Sequence, residues 1–279
     1  MFLYQPNYVN NSKKPLVVVL HGCSQNANKV AEQSGWNVLA DENDFMVIYP
    51  EQKSSNNVSG CFNWFYKKDI NSKSGESSSI LDMIKYTREN YSIDSTRIFI
   101  YGLSAGAIMT VNLLANEPTL FKSGASLAGG AYGIAKNFIQ AAGAMLDPPT
   151  KTPKEWGELI PKSPNGIYPK LVVVHGTEDN TSVFQNSIEL VKQWTYIHQI
   201  EYKNRDSVEV FMGNQAVQRY EYPENDSVIV FYKIKGIRHA LPVDPGTNYN
   251  QGGKTGMFAV DCDFFSTYYI AKDFGLIKD

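Results

Sequence analysis

The sequence predicts an α/β layer protein with a mostly parallel central sheet, helices on its faces and an antiparallel extension at one edge. Three observations carry this reading. Short runs of β-branched and aromatic residues recur through the first two thirds of the chain, stretches with apolar residues at three and four spacing separate them, and the last third alternates apolar with polar residues.

Met1–Tyr4 is strand-like, and Leu16–Leu20 (LVVVL), Phe45–Tyr49 (FMVIY) and Arg97–Tyr101 (RIFIY) are bounded by turn residues, as buried parallel strands are. Ala27–Ala40 and Ser79–Tyr91 read as helices. The second lines up Ile80, Met83, Ile84 and Thr87, and Asp94 marks a break before the next strand. Ala105–Asn116 is a third helix, followed by a weak strand at Ala125–Ala128. Between Asp147 and Pro169, prolines at 148, 149, 153, 161, 164 and 169 exclude a long regular element, so this segment reads as an excursion over the edge of the sheet. Leu171–His175 (LVVVH) restores the strand pattern, and Ser182–Ile200 is helical with Leu190, Trp194 and Ile197 on one face. Val208–Met212, Gln218–Tyr222 and Val228–Lys233 form a meander at the edge, and Ser266–Phe274 is a closing helix. The Ser and Asn clusters at 54–60 and 71–79 read as surface loops, and no internal repeat divides the single domain expected over 1–279.

With 279 residues, 43% of them hydrophobic, the chain has material for a sizeable core. Twenty-six Lys plus Arg against 28 Asp plus Glu leave a formal net charge of −2, which offers no basic excess for a phosphate backbone. Nucleic acid is excluded as a partner. The apolar runs of about five residues fall far short of the roughly twenty that cross a bilayer, so no integral membrane protein is expected. The first fifteen residues carry neither a charged leader nor an apolar one, and the chain starts almost at once on a strand, as it would after a leader had been trimmed. Abundant Asn, Ser, Thr and Tyr with modest charge suits an exported enzyme, extracellular or periplasmic. Cys23, Cys61 and Cys262 allow at most one internal disulfide.

Gly102, Leu103, Ser104, Ala105 and Gly106 match Gly-x-Ser-x-Gly, whose mechanics need a strand before it and a helix after it. Both flanks are present, so Ser104 is the candidate nucleophile. Its hydroxyl needs a general base, and four histidines are available. His21 lies upstream at a strand end, His175 ends a strand before Gly176, and His198 sits within the expected helix. His239 follows Ser104 in chain order, in a loop after a strand between Gly236 and Pro242, and is the best base. The base in turn needs a carboxylate to hold its tautomer. Asp179 follows LVVVH through the turn at Gly176, Thr177 and Glu178; Glu178 competes with it, and capping the next helix is its alternative role. The N–H of Ala105 is one oxyanion donor by the geometry of such a turn. The second comes from the loop at His21–Gln25, where the Cys23 amide is the candidate.

At these residues the sequence resembles the polyhydroxybutyrate depolymerase family of esterases, relatives of feruloyl and acetylxylan esterases in the α/β-hydrolase superfamily. The segments carrying the resemblance are LVVVLHGCSQNA, CFNWF at Cys61–Phe65, SIDSTRIFIYGLSAGAIMT, HGTEDNTSV with Gln193 and Trp194, and RHALPVDPG. The resemblance implies a triad of Ser104, Asp179 and His239, an oxyanion hole from the amides of Cys23 and Ala105, and Trp64 lining the acyl site. It also implies a Cys23–Cys61 disulfide that leaves Cys262 alone. Ala107 departs from the family pattern, which has a second glycine there. No linker and polymer-binding module is expected, so a soluble oligomer or short ester is expected beside polymer as substrate. The expected reaction is ester hydrolysis through a serine acyl-enzyme, without metal or cofactor. A feruloyl or acetylxylan esterase is the rival within the class, and a catalytically silent binding protein of the same fold is the rival outside it.

Overall fold

The computed structural model describes residues 1–6, 12–223 and 228–277; residues 7–11, within the stretch read for a leader, lie outside them. A nine-stranded sheet organises the chain. It comprises β1 (Phe2–Tyr4), β2 (Lys14–Leu20), β3 (Met46–Tyr49), β4 (Ile93–Leu103), β5 (Ser123–Leu127), β6 (Lys170–Gly176), β7 (Asp206–Val208), β8 (Val217–Tyr222) and β9 (Ile229–Ile234), in the order β1-β3-β2-β4-β5-β6-β9-β8-β7. The six strands from β3 through β9 in that order run parallel. β7 and β8 extend one edge antiparallel, and β1 pairs antiparallel with β3 at the other, so the extension expected at one edge occurs at both.

Alternation along a strand sends successive side chains to opposite faces, and β2 shows the consequence. Leu16, Val18 and Leu20 enter one core with α3 (Gly75–Asn90), α4 (Ala105–Asn116) and α7 (Gln185–Ile197). Val17 and Val19 enter the other with α1 (Ala27–Ser34), α2 (Trp36–Asn43) and α8 (Ser266–Asp273). Both faces are covered, which is why the parallel strands read as continuous apolar runs.

Several elements differ from the sequence reading for identifiable reasons. The helix expected over Ala27–Ala40 is two, because Gly35 takes a left-handed conformation (φ 72°) and turns the chain between α1 and α2. Helix α3 starts at Gly75, inside the stretch read as loop at 71–79. Asp94 does not break the chain but lies within β4, where it accepts from Thr96. The proline-rich excursion does not run over the sheet's edge. It connects β5 to the neighbouring β6 in mid-sheet, and its short helix α6 (Pro153–Gly157) packs on α7, with Trp156 fully buried and its indole N–H donating to Glu189 at 2.5 Å. Ahead of it lies α5 (Phe138–Leu146), where the sequence predicts no element, and a small parallel pair, β10 (Leu241–Val243) with β11 (Ala259–Asp261), is a further addition to the predicted strands. The first strand of the meander is Asp206–Val208 rather than Val208–Met212, and His198 caps the end of α7 instead of sitting within it.

Candidate active site

Ser104 follows β4 and precedes α4 with no intervening residue, at φ 55° and ψ −119°. An L-residue adopts this conformation only under constraint, and the two motif glycines explain how the constraint is met. A Cβ on Gly102 would come within 2.2 Å of the Gly106 carbonyl oxygen, and one on Gly106 within 2.5 Å of the carbonyl oxygens of Leu20 and His21. Only glycine lets strand, turn and helix approach this closely, and the tight turn projects the serine hydroxyl off the end of the sheet.

The hydroxyl lies 2.8 Å from Nε2 of His239, and Nδ1 of His239 lies 2.7 Å from Oδ2 of Asp179. With Asp179 ionised, Nδ1 carries the ring proton and donates it to the carboxylate, so Nε2 offers a lone pair to the serine. The two loops that supply this pair are tied together. Thr177 and Glu178 donate their backbone N–H groups to the carbonyls of Ile234 and Ile237, and Gly236 donates to the Thr177 hydroxyl. Gly176 permits the approach, since a Cβ there would meet the Ile237 carbonyl at 2.4 Å.

Asp179 is buried and Glu178 is exposed, which separates the two competing carboxylates. Asp179 does not cap α7; its Oδ1 accepts from the N–H groups of Thr181 and Ser182 at 2.9 Å each. Burial alone raises its pKa, but hydrogen bonds from His175 and His239, with the charges they carry, outweigh burial and hold the carboxyl well below the usual carboxylate range. His175 is the partner that sequence reasoning did not place at the site: its Nε2 lies 3.1 Å from Asp179 Oδ2. The signal was the spacing of His175 and Asp179, four residues apart across the turn that follows β6.

On the other side of Ser104, the loop after β2 brings Gly22 against the serine, its hypothetical Cβ 3.4 Å from Ser104 Cβ. His21, buried and with its pKa lowered by desolvation, accepts from the Gln52 N–H on Nε2 at 3.1 Å and so donates from Nδ1 to the Gly22 carbonyl at 2.8 Å. That carbonyl shares a peptide with the Cys23 N–H, so the imidazole fixes the plane of the candidate oxyanion donor. Cys23 is disulfide-bonded to Cys61, with Cα atoms 4.2 Å apart. Ala105 is the first residue of α4, where backbone N–H groups have no intrahelical acceptor and the helix dipole favours negative charge.

A cleft of about 150 Å³ opens over the serine, lined by Cys23, Leu103, Thr181, His239 and Phe258 among others. Trp64 is not among its lining residues. It is 6% exposed, packs edge-to-face on Phe65 and accepts from Asn112 through its carbonyl. Cys262, the remaining cysteine, is half-buried beside Asp261 and Asp263, and desolvation together with their charges pushes its thiol up to about 12. Those two carboxylates and Asp244 offer ligand atoms within 4.8 Å of one another, a largely exposed acidic cluster at the ends of β10 and β11. No helix among the described residues is long and apolar enough to cross a membrane.

A hydroxyl, an imidazole and a carboxylate in sequence at the carboxyl ends of a parallel sheet, under a small apolar cleft, are the features of a serine hydrolase with the α/β-hydrolase fold. Comparison with known proteins narrows the class: residues 1–201 match the model of the family described as Esterase PHB depolymerase, and the chain belongs to that family. It is 39% identical to poly(3-hydroxyalkanoate) depolymerase C of Paucimonas lemoignei, over 99% of this chain and 67% of that protein. It is 29% identical to an acetylxylan esterase of Coprinopsis cinerea (95% of this chain, 68% of that one) and 27% identical to feruloyl esterase B of Talaromyces stipitatus (92% and 72%). Among solved structures, an acetyl xylan esterase from Aspergillus awamori superposes with a TM-score of 0.75 at 25% identity, over 85% of this chain and 87% of that one. The protein is an ester hydrolase.

Proposed function

We propose that this chain hydrolyses short-chain hydroxyalkanoate esters, as oligomers or polyester, with Ser104 as nucleophile, His239 as general base and acid, and Asp179 as the carboxylate that orients it. Ser104 attacks the ester carbonyl as His239 takes its proton, and the amides of Cys23 and Ala105 receive the developing oxyanion. Collapse expels the alcohol, which takes the proton back from His239, and a water activated by the same imidazole releases the acid. The observation that carries the reading is the unbroken chain of hydrogen bonds at 2.8 and 2.7 Å from serine to imidazole to carboxylate.

Two further observations favour a hydroxyalkanoate. The depolymerase relative is ten percentage points closer in identity than the acetylxylan esterase, 39% against 29%, and a cleft of about 150 Å³ suits a four-carbon hydroxyacyl unit better than a phenylpropenoyl one. The structural similarity to an acetyl xylan esterase favours a second reading, deacetylation of xylan. Replacing Ser104 by Ala is expected to abolish hydrolysis of p-nitrophenyl butyrate with the fold intact; retained turnover would reject the nucleophile. A panel of 3-hydroxybutyrate trimer, polyester film, acetylated xylan and methyl ferulate then assigns the acyl group. Preference for the trimer or film supports the first reading, and preference for either plant ester replaces it.

The disulfide at Cys23–Cys61 suits an oxidising compartment, and we place the protein outside the cytoplasm, extracellular or periplasmic. The reading treats the chain as one catalytic domain.

A further inference from the structure

We propose that His175 is a positioning residue for hydrolysis, a second imidazole that holds the Asp179 carboxylate in place behind His239. The inference rests on the triad assignment above.

His175 stands at the end of β6 with its side chain wholly buried, as is that of Asp179. Its Nε2 faces two acceptors, the Ser182 carbonyl at 2.7 Å and Asp179 Oδ2 at 3.1 Å. A nitrogen placed between two acceptors must carry hydrogen, so the ring holds a proton on Nε2 whatever its charge. Its Nδ1 meets the hydroxyl of Ser187, in the first turn of α7, and in the neutral ring that hydroxyl donates. The Phe184 ring packs edge-on at 5.8 Å, and Lys233, opposite His175 on β9, is turned onto that ring rather than toward the imidazole. The polar groups against the ring are therefore Asp179, Ser182 and Ser187.

The geometry has a chemical consequence. Oδ2 of Asp179 takes one hydrogen from His239 at 2.7 Å and another from His175, while Oδ1 takes the Thr181 and Ser182 amides. Four donors fix the carboxylate against rotation about its terminal bond, and the rotation they prevent would swing Oδ2 away from His239. The second imidazole also draws part of the oxygen's charge. Removing it has two effects: the His239 ring loses a fixed partner, and the charge left on Oδ2 acts on His239 alone and favours its protonated form.

The test compares His175→Phe, His175→Gln and Ser187→Ala with the parent enzyme on p-nitrophenyl butyrate. For His175→Phe, kcat should fall by about ten- to a hundredfold with KM nearly unchanged, and the acid limb of kcat/KM should move up by about half a pH unit. The amide of His175→Gln reaches the position of Nε2 and should restore most of kcat and return the limb. Ser187→Ala leaves the volume almost unchanged, removes the hydrogen bond on Nδ1 that holds the ring's orientation, and should shift the limb in the same direction by less. A solely structural role would lower the folded fraction and kcat together without moving the limb. Nitrogen-15 shifts of the parent enzyme's His175 ring give a readout independent of any variant: a proton on Nε2 is expected, and a lone pair there overturns the proposal. So does an unmoved acid limb in folded His175→Phe, or in folded Ser187→Ala should the Phe variant not fold. His239→Ala separates this failure from that of the triad, because turnover retained there rejects the triad itself.

Discussion

The Ser104 hydroxyl reaches the cleft because its backbone is held at φ 55° between two glycines that tolerate carbonyl contacts no Cβ would. Its reactivity depends on protonation states further back. Only the neutral His239 ring accepts the serine proton, whereas Asp179, whose pKa is depressed, stays ionised where an ordinary carboxyl would begin to protonate. The sign follows from linkage: a depressed carboxyl contributes stability above its unfolded pKa and loses it only as pH falls through the depressed value. On acidification kcat/KM should therefore fall with a limiting slope of one, set by a single imidazole. A slope of two in the pH profile would mean that a second group titrates with it. The candidate residues were legible because each stands where a strand pattern ends: His21 after LVVVL, Ser104 after RIFIY, Asp179 after LVVVH, His239 after the last long strand. The second imidazole on Asp179 had only its spacing as a signal, because its orientation depends on the Ser182 carbonyl in the loop after Asp179 and on Ser187, which the docking of α7 brings to the ring.

Gly35 joins two helices, and the Cys23–Cys61 disulfide ties an element to the site. At Gly35 a Cβ would meet Phe265 at 2.8 Å and the Gly253 nitrogen at 3.0 Å, in a left-handed conformation besides. Gly35→Ala should cost about 1–3 kcal/mol, seen as a lower Tm, while the chemistry of correctly folded molecules is unaffected; an unchanged Tm would contradict the packing account. The disulfide closes a loop with a sequence separation of 38 residues and anchors the Cys23 amide. Cys61→Ser should lose about 2–4 kcal/mol of stability, and kcat should fall because the oxyanion donor is less firmly held. Thermal unfolding and steady-state kinetics, each with and without reductant, check this. At this scale the sequence showed strands better than helix limits. β-branched runs mark buried strands directly, but a turn that depends on one left-handed glycine has no periodic signature to distinguish it.

Across the whole molecule, strand order reverses at β2, which has β3 on one side and β4 on the other, and ligands of open α/β sheets bind beyond the carboxyl ends of the strands near such a point. The loops after β2, β4, β6 and β9 all emerge at that end, so residues distant in sequence meet over one hydroxyl. The most direct test of the account is covalent labelling. Treated with a fluorophosphonate and digested, the protein should yield one modified peptide, carrying the adduct on Ser104, and labelling should vanish in Ser104→Ala. An adduct on another residue, or none from the active enzyme, would contradict it.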